Sequence, residues 1–452
     1  MPKINKRGEY MQMVGFINKY FFGVGVPVFL ILSGIFYCFK LGFFHFLHPI
    51  KITKSLFSGG KGDIVSSAKA VTLALAGTLG VGNMVGVASA IVLSGAGAVF
   101  WMWVSAMLAM ILKYAEIVLA MRHRRFDSDG RPHGAAMYYI LDLFKGNGIG
   151  KALAGIFAFF CIINAISMGG MIQVNAAANA MNGTFGVAPI IIGTVFSFIA
   201  FFAMKRGTGG ILAFTEKLVP FMTVGFVVLS LAVIFKRPNE SREAVTLIFS
   251  QAFDLKSGVA GFFGFLLSDS LRYGTMRGIV SNEAGCGTAP AAHAVSNCKD
   301  PARQGVWGIF EVFVDTILLC TLTAIVILTA FPTPVGVSDN MMLTVNSYSS
   351  VLGGFAGYFI AISVLCFGLA TVLCWGHYGM ESVAYFSEKK WAKNIFIFAY
   401  SGFIIIGSVM SSAVIWDMAD LAIGSMTLIN LFILIAMSGE VKRETRNYFS
   451  GK

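Results

Sequence analysis

Apolar stretches alternate with short charged clusters along the whole sequence. Many of these stretches hold roughly 20 residues, the length at which an α-helix crosses the hydrocarbon core of a bilayer. Only 12% of the 452 residues are charged, about half the share found in a soluble domain. So little polar surface could not keep a soluble protein dispersed. The sequence therefore predicts an all-α membrane protein with a single membrane domain over residues 1–452.

Eleven apolar segments are predicted to span the membrane. They are 21–44, 67–94, 98–121, 151–180, 187–204, 215–235, 257–290, 305–331, 352–385, 394–413 and 418–437. If the N-terminus lies outside, the loops on the inner side carry most of the Lys and Arg residues. The positive-inside rule therefore predicts an outside N-terminus and a cytoplasmic C-terminus. The net charge of +12 comes from these loops and forms no basic stripe, so no nucleic-acid partner is expected.

Two of the predicted spans are interrupted by glycine and polar residues. The second span contains Gly-Thr-Leu-Gly-Val-Gly-Asn at 77–83, and the seventh contains a polar run at 281–288. Unwound backbone at membrane depth is tolerated only where it is buried in protein or lines a cavity. The two interruptions lie five spans apart, which predicts two inverted five-helix repeats, 67–235 and 257–437, after the leading helix 21–44. Interrupted helices at matching places in two halves are typical of a transporter's binding site.

A broken helix offers backbone groups that can bind both charges of a zwitterion. The second half exposes free N–H groups, which suit a carboxylate, and the first half exposes carbonyls, which suit a bare cation such as sodium. Val81, Gly82 and Asn83 are therefore candidate amide donors, and the Asn83 side chain is a candidate cation ligand. The alternative is that Gly82 and Gly86 form a GxxxG packing face.

Charged residues inside the predicted spans are functional candidates, because their burial in lipid is costly. Glu311 and Asp315 lie four residues apart on one helix face and require a cation, an Arg or a proton. Arg272 could pair with one of them or with Asp269.

Lys113 and Glu116 lie three residues apart on span three and could pair with each other. Gln173, in span four, could contact a substrate or form an interhelical hydrogen bond. No HExxH or GxSxG motif is present, so a membrane enzyme is the less favoured class. A receptor is also less favoured, because only a short polar tail follows Met437.

Several strings in the sequence are specific enough to identify a family. They are 77–83 (GTLGVGN), 97–103 (GAVFWMW), 113–116 (KYAE), Arg277-Gly278, 281–285 (SNEAG) and Asp315-Thr316. In order, and along nearly the whole chain, they closely resemble those of the prokaryotic alanine/glycine:cation symporters. The resemblance implies a LeuT-like fold of eleven helices in the cytoplasmic (inner) membrane. It also implies sodium-driven alternating access with alanine or glycine as cargo, with no cofactor besides the coupling ion and no obligatory protein partner.

The resemblance also implies positions for the substrate. Its carboxylate would meet the backbone of Val81 and Gly82 and the side-chain amide of Gln173. Its amino group would face an unwound part of span seven at Tyr273 and Gly274.

Sodium, by the same resemblance, would lie between the carbonyls of Ala76 and Leu79 and the Thr371 hydroxyl, with Asn83 as a further ligand. A second group of residues could bind a cation or a proton or act in gating. They are Asp269, Arg272, Glu283 and Asp315.

The sequence departs from the family pattern at several of these places. Val81 replaces a Thr, Ala370 replaces a Ser, Gly170 replaces an Asn, and Tyr273 stands where a Trp is usual. Asp269 is a charge where a small neutral residue is expected. Two alternatives follow: Asp269 takes over cation neutralisation or carries a proton, or the cargo is glutamine or another neutral amino acid, with possible proton coupling.

Overall fold

The computed structural model describes residues 23–57, 61–126, 130, 132–253, 268–334, 337 and 339–450. Within these ranges the protein is helical, apart from one antiparallel pair of two-residue strands, β1 (Arg125–Phe126) and β2 (Pro132–His133). The all-α class predicted from the sequence is confirmed.

Twelve α-helices lie in the first part of the described chain. They are α1 Val26–Lys40, α2 Phe44–Leu47, α3 Pro49–Leu56, α4 Lys61–Thr78, α5 Val87–Ser94, α6 Gly97–His123, α7 Ala136–Leu143, α8 Gly148–Asn164, α9 Gln173–Phe185, α10 Pro189–Lys205, α11 Thr208–Lys236 and α12 Pro238–Gln251. Two π-helical segments, Gly82–Gly86 and Ala165–Ile172, lead into α5 and α9.

Nine more α-helices follow residue 267. They are α13 Asp269–Asn282, α14 Ala289–His293, α15 Pro301–Val312, α16 Thr321–Ala330, α17 Asn340–Leu352, α18 Gly354–Phe386, α19 Lys390–Val409, α20 Ser412–Ala436 and α21 Ser438–Phe449. A third π-helical segment, Phe313–Cys320, joins α15 to α16.

Most of the predicted spans correspond to helices of the structure. Among the described residues, eight helices are long and apolar enough to cross a membrane, and the bent pair Ser66–Thr78 and Gly82–Ser94 forms a ninth candidate. The helix Pro189–Lys205 is apolar but shorter. Residues 21–22 of the first predicted span and 257–267 of the seventh lie outside the described residues. The protein is therefore a multi-pass membrane protein.

Several helices lie where hydropathy predicts only loops, among them α12, α17 and α21. Helix α12 starts with Pro238, which suits the first helical position because its missing N–H needs no partner. Helix α17 is capped by Asp339, whose carboxylate accepts hydrogen bonds from two backbone amides. Helix α21 buries Val441 and Thr445 on one face while its charged residues face outward. These helices are amphipathic or short, so a search for apolar spans does not find them.

The bent helix lies at the centre of the fold. Its π-helical turn and α5 pack against α13, and α4 packs against α18 and α11. Helix α6, almost fully buried, packs along both α13 and α15. This arrangement brings the two interrupted segments of the sequence together, with α6 and α18 in contact with both halves.

Candidate functional site

The first interruption is a true break in the helix. Helix α4 ends at Thr78, the π-helical turn begins at Gly82, and the two halves differ in direction by 49°. Leu79, Gly80 and Val81 lie between them and are buried. The sequence-based prediction of a break at 77–83 is confirmed.

Two side chains from other helices contact this break. The Val81 backbone N–H donates to Gln173 Oε1 at 3.0 Å. The Thr371 hydroxyl, on α18, donates to the Ala76 carbonyl at 2.9 Å. Gly80 lies between them, because a Cβ built there would stand 2.6 Å from Thr371 Oγ1 and 2.7 Å from Gln173 Oε1. The structure therefore brings together Ala76, Val81, Gln173 and Thr371.

Asn83 and Asp315 form the centre of a second polar cluster. Asn83 Nδ2 donates to Asp315 Oδ1 at 2.7 Å, and the hydroxyls of Ser281 and Thr316 donate to Asp315 Oδ2, each at 2.7 Å. All four residues are buried. Asn83 Oδ1 has no hydrogen-bond partner within the described part of the chain. Carboxylate, amide and hydroxyl oxygens are the ligands that hard cations prefer.

The second break begins at Glu283. Backbone φ is positive at Glu283 (55°), Gly285 (84°) and Gly287 (79°), and α14 starts only at Ala289. Glu283 Oε1 accepts a hydrogen bond from Trp375 Nε1 at 2.9 Å, and its Oε2 accepts one from the Thr288 hydroxyl at 2.9 Å. Most of the polar run predicted at 281–288 therefore does unwind, from residue 283 to 288, while its first two residues still belong to α13.

The expectation of unwound backbone at Tyr273 and Gly274 was wrong. Both residues lie in the continuous helix α13. Gly274 serves close packing, because a Cβ there would collide with the Ala98 carbonyl and Trp101 on α6. Gly82 instead faces the last turn of α13, and a Cβ built on it would stand 3.5 Å from the Val280 carbonyl oxygen.

Lys113 and Glu116 do not pair with each other, contrary to the expectation from their spacing. Lys113 Nζ donates to the Asn282 carbonyl at 2.8 Å and forms an ion pair with Glu311 Oε1 at 3.0 Å. Glu116 Oε1 accepts a hydrogen bond from the Gly287 backbone N–H at 2.8 Å. Asn282 precedes the second break and Gly287 lies near its end, so one turn of α6 contacts both ends of this break.

Glu311 and Asp315 face different partners although they share a helix face. Glu311 contacts Lys113 and also His293, whose Nε2 lies 3.1 Å from Glu311 Oε2. Asp315 contacts Asn83 and the hydroxyls described above. The two carboxylates therefore do not share one cation.

Asp269 lies away from both oxygen clusters. It begins α13, its side chain is 65% exposed, and its carboxylate pairs with Arg272 at 3.1 Å. The pairing with Arg272 was one of the predicted alternatives. A buried, cation-neutralising Asp269 is not what the structure has, because the first helical turn exposes this side chain.

A cavity of about 600 Å³ opens beside α13. Tyr273 and Met276 line it from α13, and Val85 lines it from the first broken helix. On its wall, Arg277 forms an ion pair with Asp420 at 3.0 Å and lies over the Trp416 ring at 4.2 Å.

Sequence reasoning missed several residues that complete these contacts. They are Ser281, Thr316, Val280, Trp375, Trp416 and Asp420. Ser281 and Thr316 belong to strings that the resemblance had already identified, so their polar side chains could have been proposed as ligands. Trp375 and Asp420 carry no local signal, because only the fold brings Trp375 to the second break and Asp420 to α13.

Comparisons with known proteins identify the family of this chain. The sequence profile of the sodium:alanine symporter family matches residues 8–452. The sodium/alanine symporter AgcS of Methanococcus maripaludis is 34% identical over 97% of each chain, and the probable sodium/glutamine symporter GlnT of Bacillus subtilis is 31% identical over 97% of this chain and 90% of its own.

A solved structure supports the fold. The crystal structure of MhsT in complex with L-phenylalanine superposes with a TM-score of 0.60 at 14% identity, over 83% of this chain and 91% of that one. The LeuT-like transporter fold is thereby supported, while the family rests on the sequence profile and on AgcS. The chain belongs to the sodium:alanine symporter family, a family of membrane transporters.

Proposed function

We propose that this protein carries a small neutral amino acid, alanine or glycine, across the membrane together with sodium by alternating access. The observation that carries the proposal is the first helix break, where the Val81 amide meets Gln173 between two groups of oxygen ligands. Family membership and a relative named as a sodium/alanine symporter support the same cargo and ion.

The substrate carboxylate would bind at the amides of Val81 and Gly82. Gln173 Oε1 now accepts from the Val81 N–H at 3.0 Å, and so it stands where a carboxylate oxygen would bind. When substrate takes this position, rotation of the Gln173 amide presents its NH₂ group as a further donor to the carboxylate. Gln173 thus exchanges an internal hydrogen bond for one to the cargo.

The substrate amino group would bind at the last turn of α13. Carbonyls in the last turn of a helix have no partner within the helix. Asn282 O is taken by Lys113, whereas Val280 O faces Gly82 across the site. This position replaces Tyr273 and Gly274 as the proposed contact for the ammonium group.

Two places suit sodium. The first would combine the Leu79 carbonyl with the Ala76 carbonyl and the Thr371 hydroxyl, which are hydrogen-bonded to each other near the end of α4. The second is formed by Asn83 Oδ1 and the Asp315 carboxylate, and the unpartnered Asn83 oxygen supports a cation there. A buried carboxylate is costly without a counter-charge, so a cation stabilises Asp315.

Alternating access would use the 600 Å³ cavity as one of the two pathways to the site. The ion pair between Arg277 and Asp420 bridges α13 and α20 on its wall and would break and re-form as the pathway opens and closes. We further propose eleven spans in one domain, with a leading helix (21–44), two inverted repeats (67–235 and 257–437), an outside N-terminus and a cytoplasmic C-terminus.

Uptake into proteoliposomes tests this function. Labelled alanine, glycine and glutamine are offered under a sodium gradient or a proton gradient, each imposed alone. We expect alanine or glycine to accumulate under sodium only. Accumulation of glutamine alone, or accumulation under protons alone, would establish the alternative carrier, and no accumulation would refute transport of all three.

A matched pair of variants tests the second ion site. Asp315→Asn should raise the half-saturating sodium concentration at least about tenfold, because the removed charge would bind the ion directly. Asp269→Asn makes the same chemical change at an exposed position and should leave uptake and sodium dependence unchanged. Equal effects of the two variants would contradict a sodium site at Asp315.

A further inference from the structure

A basic pocket lies where the end of α1, the helices α2 and α3, and the C-terminal helix α21 meet. It encloses about 450 Å³. Its cationic lining residues are Lys40, Lys51, Lys442 and Arg446, and His48 adds an imidazole. Among the described residues that line it, none is acidic. The pocket therefore concentrates positive charge at one place on the protein.

The acidic residues of α21 do not neutralise this pocket. Glu440 and Glu444 both approach Arg122, at 3.7 and 3.8 Å, and both approach Arg443, at 3.8 and 3.9 Å. Lys442 and Arg446 lie on the pocket side of the same helix and are exposed. The charge of the pocket is thus available to a ligand.

Exposed apolar side chains lie on the same helices that form the pocket, where a membrane-spanning helix ends. Phe39 lines the pocket itself. Leu47 and Ile50 lie within two residues of its lining residue His48. Lys40 is the last residue of α1, which is long and apolar enough to span a bilayer. Phe39 is 71% exposed, Leu47 is 66% exposed and Ile50 is 70% exposed. Large apolar side chains next to a cationic pocket, at the level where a span ends, match the two parts of a phospholipid.

We propose that this pocket binds the headgroup of an anionic phospholipid, and that a two-phosphate headgroup such as that of diphosphatidylglycerol fits it best. The charge of four cations exceeds the single negative charge of one phosphate monoanion. Two phosphates balance more of this charge and can accept charge-assisted hydrogen bonds from all four cations. The acyl chains lie against Phe39, Leu47 and Ile50. Under the topology proposed above, the pocket lies on the cytoplasmic side, where basic pockets beside spans bind such headgroups.

Two residues that line the pocket, Phe44 and Thr445, contact Tyr114 on α6. The Phe44 ring contacts the Tyr114 ring, with centroids 5.0 Å apart, and the Thr445 hydroxyl lies 2.8 Å from the Tyr114 hydroxyl. Tyr114 follows Lys113, which holds the Asn282 carbonyl at the second break. A bound lipid therefore stabilises the position of α6 at the turn that contacts the second break.

Thermal unfolding of the full-length protein in neutral detergent tests the proposal. Diphosphatidylglycerol should raise the melting temperature in a saturable way, and phosphatidylcholine should not. The variant Lys442→Gln/Arg446→Gln should bind diphosphatidylglycerol about 30-fold more weakly, given the contribution of each cation near a membrane surface. Lys51→Gln, on a different helix, should weaken binding about fivefold by the same reasoning.

A matched control removes two other exposed cations. Lys389→Gln/Lys390→Gln, at the start of α19, should bind the lipid as the wild type does. Equal weakening in this control would show general charge attraction and overturn a specific pocket. Unchanged binding in Lys442→Gln/Arg446→Gln would also overturn it. Stabilisation by pyrophosphate alone, at the same concentration, would assign the site to a free phosphate and refute the lipid.

Discussion

Replacement of Gly80 by Ala is the most direct test of the site at the first helix break. The added Cβ would stand 2.6 Å from Thr371 Oγ1 and 2.7 Å from Gln173 Oε1. Both atoms can move, because they end rotatable side chains. Their movement, however, breaks the hydrogen bonds to the Ala76 carbonyl and the Val81 N–H. The substitution therefore perturbs the proposed sodium and carboxylate positions together.

The expected magnitude follows from these contacts. The two lost hydrogen bonds cost about 0.5–1.5 kcal/mol each, or about 1–3 kcal/mol together. Since about 1.4 kcal/mol is a factor of ten, the Gly80→Ala variant should bind sodium and alanine roughly 5- to 150-fold more weakly. Half-saturating concentrations in proteoliposome uptake measure both affinities in one experiment.

The same broken helix offers a control. A Cβ built on Gly86 meets no atom within 4 Å, and alanine favours a helix more than glycine does. Gly86→Ala should therefore fold as well as the wild type and transport with unchanged half-saturating concentrations. If Gly80→Ala transported as the wild type does, or if both variants lost affinity equally, the assignment of Thr371 and Gln173 to the binding site would be refuted.

Three further substitutions test the contacts around the second break and the cavity. Lys113→Met leaves Glu311 without its ammonium partner in a buried site and should destabilise the protein by about 3–5 kcal/mol, which a large drop in melting temperature would show. Adding Glu311→Gln should recover most of the lost stability, and a lack of recovery would contradict the ion pair. Trp375→Phe removes the indole donor to a buried carboxylate and should cost about 1–3 kcal/mol in stability, again read by melting temperature, whereas an unchanged value would argue against this hydrogen bond. Arg277→Gln breaks the bridge to Asp420 on the cavity wall and should make the cavity more accessible. The measurement uses a cysteine-free variant with one cysteine introduced in the cavity, and the reaction of that cysteine with a charged thiol reagent should become faster. An unchanged rate would argue against a gating role.

The helical fold and the two helix breaks could be predicted from the sequence because they depend on local signals. Apolar segment length predicts the spans, and clustered glycines with polar neighbours predict the breaks at 77–83 and 281–288. Both breaks were found where these signals lie. Gln173 was a candidate as a polar residue in span four, and the family resemblance added Thr371; both contact the first break, through Val81 and Ala76.

The details that failed depend on which helix faces lie together. Gly274 was expected in unwound backbone, but a glycine serves equally well for close packing against α6, and sequence cannot separate the two uses. Lys113 and Glu116 have the spacing of a pair, yet the fold provides each with a different partner at the second break. Asp269 looked buried because its segment is apolar, although the helix start exposes it.

One turn of α18 contacts both breaks and so links them mechanically. Thr371 donates to the Ala76 carbonyl at the first break, and Trp375, one turn later, donates to Glu283 at the second. One helical turn is about 5.4 Å long, so a displacement of α18 at one break displaces its contact at the other. A sodium ion bound at the first break, as proposed, would therefore influence the second break through this one helix.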